Sequence, residues 1–121
     1  MKSLCCAFQG CGIVVITLGA HGCYGASADE SRLRRRLKNA YPSGNRPALG
    51  GQRALVPAFA CKGTVNSVGA GDSFLAGIVA ALCYYSTPTC DVDSPPLDLA
   101  QLLRIGTSPC VCARASVRVC V

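Results

Sequence analysis

Apolar positions divide the chain into a few short ordered pieces separated by polar stretches. "GIVVITLG", Gly12 to Gly19, is β-branched, apolar on both faces and closed by glycine. That pattern predicts a buried strand of a parallel sheet. "AHGCYGA" follows as a glycine-containing turn with a short returning strand. Residues 27–53 are polar and punctuated by Gly and Pro. They read as loop, with one weak helical patch around Ser31 to Asn39. "ALVPAFA", Ala54 to Ala60, is apolar but carries Pro57, which suits an edge strand or an irregular extended piece. From Asp72 onward Phe74, Leu75, Ile78, Val79 and Leu82 recur at helical spacing and predict a helix to about Tyr85. Ala76, Gly77, Ala80 and Ala81 are small enough for close packing on that helix. "STPTCDVDSPP" is a loop. Leu97 to Gly106 predicts a second amphipathic helix that buries Leu99, Leu102, Leu103 and Ile105. The tail from Thr107 to Val121 fits helix or strand equally, and no internal repeat is present.

Length and charge narrow the picture. A chain of 121 residues is one small domain at most, or one part of a larger domain. The net charge is +6, and 7 of the 12 Lys and Arg lie between Ser27 and Arg53, opposed there only by Asp29 and Glu30. "RLRRRLK", Arg32 to Lys38, has the charge of a nucleic-acid surface, but no aromatic residue interleaves with it. The reading preferred is a solvated basic insertion over 27–53, with nucleic acid not expected as a partner.

The 10 cysteines reach the density of disulfide-rich secreted domains. Their spacing does not: no Cys-x-x-Cys occurs, and the single histidine, His21, has no set of companions for tetrahedral zinc. Most lie in apolar stretches, where a free thiol behaves as a small hydrophobe. The expectation is reduced thiols in a cytoplasmic setting. The N-terminal stretch has the basic and apolar order of a signal peptide, yet Gln9, Gly10 and Gly12 interrupt the apolar run. No stretch is long and apolar enough for a membrane span.

The most informative stretch is "NSVGAGDSFLAG", Asn66 to Gly77. Gly69 and Gly71 flank Ala70, so the backbone there can take positive φ without penalty. A turn of this kind feeding a helix aims backbone N–H groups at one point, and the helix dipole adds positive partial charge. This is a preformed anion site. A carboxylate at its mouth does not help hold a phosphate, since like charges repel. It makes sense as a proton acceptor for a hydroxyl that attacks phosphorus. The competing reading makes Asp72 an ordinary helix N-cap, and the local pattern leaves both open. No P-loop is present, because Gly-x-x-x-x-Gly-Lys-Ser/Thr does not occur.

"VNSVGAGDSFLAGIVAAL" resembles the C-terminal signature of the ribokinase or PfkB carbohydrate kinases. "VVITLGAHGCYG" is similar to the family's strand and turn beneath the nucleotide phosphates. "VPAF" resembles the piece before the signature, and Leu97 to Val119 loosely resembles the stretch that covers adenine. The resemblance implies an α/β fold, a three-layer sandwich with a mostly parallel sheet, present here as its C-terminal part over residues 1–121. It implies ATP-dependent transfer of phosphate to a sugar or nucleoside hydroxyl, with ATP and Mg²⁺ required. Asp72 is then the catalytic base. Gly69, Ala70 and Gly71 form the anion hole, and Thr17, Leu18, Gly19, Ala20 and Gly22 lie near the ATP phosphates. The family's first signature residue is usually Asp, in a cation environment; here it is Asn66, which carries no charge and puts activation by a monovalent cation in doubt. Asn at this place is also similar to the pseudouridine kinase branch.

Family members are much longer than this chain, and the acceptor-binding residues belong to the part that precedes the match. The isolated chain is therefore expected to show no useful turnover. Two alternatives stand beside the kinase reading: a basic nucleic-acid or partner-binding module, and an inactive truncated product. The sugar and the oligomeric state are not assigned.

Overall fold

The computed structural model describes residues 10–41, 49–58, 69–87, 97–107 and 118–120. Among the described residues four strands form one sheet: β1 (Ile13–Thr17), β2 (Cys23–Ser27), β3 (Arg53–Val56) and β4 (Arg118–Cys120). Three α-helices accompany them: α1 (Glu30–Leu37), α2 (Ala70–Ser86) and α3 (Leu99–Thr107). The strand order is β3-β2-β1-β4.

Every strand pairing among the described residues is antiparallel. This corrects the expectation of a parallel strand over 12–19. Apolar residues on both faces require burial on both faces, and Ile13, Val14 and Val15 are all buried. They do not fix direction. Direction follows from the connection: residues 18–22 are too few for the crossover that parallel neighbours need, so the chain returns antiparallel. β3 is an edge strand, as Pro57 immediately after it suggested.

Ile13, Val15, Cys23 and Val56 share one core with Phe74, Ile78 and Leu82 of α2 and with Leu99, Leu102 and Leu103 of α3. The contact is close. A methyl at Gly25 of β2 would lie 2.8 Å from Leu103 Cδ1, and one at Gly106 would lie 2.8 Å from Ile78 Cδ1. Only an absent side chain allows these elements to approach so far. On the opposite face of the sheet Ile16 and Tyr24 are half-buried and Leu55 is 67% exposed. On α2, Leu75 and Val79 point away from the core, which narrows the predicted five-residue stripe to Phe74, Ile78 and Leu82.

The basic stretch is not a solvated insertion over its described residues. Leu33, Leu37 and Tyr41 follow at four-residue spacing, and all three are buried in the same core with Leu49. The weak helical patch is the amphipathic helix α1, with Leu33 and Leu37 as its buried face. Tyr41 Oη donates to Glu30 Oε1, and Arg34 Nε donates to the same oxygen at 3.0 Å. Burial, then the neighbouring Glu30 carboxylate, pushes the Tyr41 phenol well above its ordinary range. The cysteines divide. Cys23 and Cys83 are free, whereas Cys11 is disulfide-bonded, so the expectation of reduced thiols throughout does not hold at Cys11. Burial pushes the Cys23 thiol up to about 11. No helix among the described residues is long and apolar enough to cross a membrane.

Candidate functional site

Two glycine-bearing turns were expected to build the site, and the strand register brings their supports to one end of the sheet. Thr17 pairs with Cys23, and Cys23 pairs with Val56. The turn that leaves β1 and the segment that leaves β3 toward Gly69 therefore emerge side by side. Gly22 fixes that closeness. Its φ is +92°, and a Cβ there would sit 1.9 Å from the Val56 carbonyl oxygen and 2.7 Å from the Ala58 nitrogen. No residue but glycine fits.

α3 carries the first turn of α2 to the same end. Leu99 N–H donates to Gln52 Oε1 at 2.8 Å, at the start of β3. Leu103 packs on Gly25 in the middle of β2, and Gly106 meets Phe74 and Ile78 of α2. α3 thus runs along the sheet from the Gln52 end toward the Val56 end, where its last turn meets the opening turns of α2.

The first turn, Thr17 to Gly22, is largely closed on itself. Leu18 N–H donates to the Gly22 carbonyl at 2.7 Å, His21 N–H to Leu18 at 3.1 Å and Gly22 N–H to Gly19 at 3.1 Å. Gly19 has φ +58° within a single 3-10 turn of Gly19–His21. The amides of Leu18 and Gly22 are spent on the turn itself, so these two residues shape the backbone and do not donate outward. Thr17 is buried, whereas Leu18 and Ala20 are exposed and Gly19 is intermediate.

The second turn is built differently. Gly69 lies at φ +77° in the left-handed region and is the N-cap of α2. It has no side chain, so the N-cap residue itself contributes no capping oxygen. The first intrahelical bond runs from Ser73 N–H to the Gly69 carbonyl at 2.9 Å. The amides of Gly71 and Asp72 precede it and have no acceptor inside the helix. Asp72 is the third residue of α2 and is exposed. The N-cap reading of Asp72 therefore fails on position: the cap is Gly69. The donor chemistry here, backbone N–H at a helix start of positive partial charge, fits the phosphates of a nucleotide. Among the described residues no group of three or more His, Cys, Asp or Glu gathers to hold a metal ion. Mg²⁺ binds such substrates largely through phosphate oxygens and water, so no dedicated protein cage is needed. Asn66, the candidate metal-site residue, lies outside the described residues.

The family model for pfkB family carbohydrate kinases matches residues 5–118. No curated protein matches the chain, and no solved structure does.

Proposed function

The chain belongs to the pfkB family of carbohydrate kinases, and from that premise we propose that it carries the phosphoryl-transfer end of an ATP-dependent kinase acting on a sugar or nucleoside hydroxyl. One observation carries the reading: α2 opens on a left-handed glycine with no side-chain cap and holds an exposed carboxylate two residues into its first turn. A helix start without a capping side chain is an anion site. The exposed acid beside it adds little to the fold beyond its interaction with the helix dipole.

The roles follow from the chemistry. The acceptor hydroxyl loses its proton to a carboxylate oxygen of Asp72 as its oxygen bonds to the γ-phosphorus. The bond from that phosphorus to the β–γ bridging oxygen breaks, and ADP leaves with the electron pair. Gly69, Ala70 and Gly71 supply the backbone that stabilises charge on the transferring group. Thr17, Gly19 and Ala20 border the nucleotide phosphates, and Leu18 and Gly22 hold that turn in shape. In this reading residues 1–121 form part of the family's three-layer sandwich. The open face of the sheet, with Leu55 exposed, would meet the further layer.

Titration calorimetry with ATP·Mg tests the anion site without requiring an acceptor. The chain should bind saturably, and Gly69→Val should abolish binding, because a β-branched residue at φ +77° cannot hold the turn. Equal binding by the two proteins would refute the site.

A further inference from the structure

α1 sorts its four arginines. Arg34 is exposed but already engaged: it pairs with Glu30 at 3.0 Å and stacks 4.6 Å above the Tyr41 ring. Arg32, Arg35 and Arg36 lie three and four residues apart, so they share one side of the helix, within an arc of about 100°. Leu33 and Leu37, the buried pair, lie on the other side. Arg32 has only a long pairing with Asp29, at 3.9 Å, and that carboxylate already accepts from Ser31 Oγ at 2.6 Å. Arg35, Arg36 and the following Lys38 are exposed and meet no carboxylate among the described residues. Core packing of Leu33 and Leu37 fixes this basic face in place, which a solvated loop could not do.

We propose that this face, Arg32, Arg35, Arg36 and Lys38, docks the phosphate backbone of a duplex nucleic acid. Charge complementarity selects the class of partner, because guanidinium groups pair bidentately with phosphate oxygens. The apolar side of α1 is spent on the core, which leaves nothing to insert into a lipid surface. Among the described residues the aromatic ring beside these arginines, Tyr41, is buried and cannot stack on a base, which favours contact with the phosphate backbone. The sequence expectation of no nucleic-acid partner rested on a solvated insertion and on the lack of interleaved aromatic residues; the ordered helix removes the first ground, and contact with a phosphate backbone does not need the second. The inference does not depend on the kinase reading.

Fluorescence anisotropy of a labelled mixed-sequence DNA duplex with the whole chain tests it. If the four cations neutralise four phosphates, affinity should fall about 150-fold between 50 and 200 mM salt. Replacing Arg32, Arg35 and Arg36 together by Gln should weaken binding at least tenfold at 50 mM salt, and Arg35→Gln alone should make the salt dependence measurably shallower. Arg104→Gln, on exposed α3 surface, should change neither. Absence of binding, a salt dependence unchanged in the triple variant, or equal displacement by polyglutamate at matched charge would each overturn the proposal. The last would point to an acidic protein. Circular dichroism should show the variants folded, since all three side chains are exposed.

Discussion

Two aspartates open two helices in this molecule, and they do different work. At α3, Asp98 accepts from Gln101 N–H through Oδ1 at 2.6 Å and from Leu102 N–H through its carbonyl at 3.0 Å, while Leu99 N–H is taken by Gln52. The Leu99 and Gln101 amides of that helix start are satisfied from within the fold. At α2 the cap is Gly69, which has no side chain to offer the amides, and Asp72 stands exposed inside the first turn. The contrast teaches what separates a structural helix start from a functional one. The residue type is the same; the position relative to the cap, and whether the amides are already spent, decide the role.

Three substitutions sharpen or break this contrast, from the largest loss of stability to the smallest. Gly22→Ala attacks the platform on which the α2 opening rests. Its Cβ would fall 1.9 Å from a backbone oxygen that cannot move aside, at φ +92°. Overpacking and left-handed strain together should cost about 3 kcal/mol or more, read as a collapse of the urea midpoint. A small shift would mean that the two turns are not held together. Asp98→Ala removes a working cap and should cost about 1 kcal/mol in the same measurement while leaving ATP binding unchanged. Loss of ATP binding there would erase the distinction between the two helix starts. Asp72→Asn should leave stability within about 0.5 kcal/mol, as for an exposed residue outside any cap.

The parts of this contrast were unequally legible in the sequence. The apolar periodicity of α2 and α3 located both helices, because each lays a leucine- or phenylalanine-led stripe on one core. The Gly-Ala-Gly turn before Asp72 marked where that helix opens. What periodicity could not decide was whether Asp72 caps the helix, since a shift of three residues in the helix start changes the answer and only backbone geometry fixes it. Strand direction escaped for a related reason: Ile13, Val14 and Val15 are buried whichever way their neighbours run. The signal lay in the brevity of residues 18–22. α1 was legible as the helical patch around Ser31 to Asn39, but its charge hid that it packs on the core. Leu33, Leu37 and Tyr41 at four-residue spacing were visible beneath the arginines and would have placed the helix on the core. Nor did glycine content distinguish the turn that closes on its own carbonyls from the one that opens a helix.

The central claim is that Asp72 takes a proton and does not hold the fold together. Asp72→Asn tests it most directly, compared with the unaltered residue in a form of the enzyme that turns over, through stability, ATP affinity and phosphoryl-transfer rate together. Asparagine keeps the shape of the side chain and loses the charge and the proton affinity. Stability should hold, and ATP affinity should hold or rise as a negative charge leaves the phosphate site. Turnover should fall by about 10²–10⁴, the usual share of general acid–base catalysis. A variant that kept near-normal turnover would contradict the assignment of Asp72 as the base.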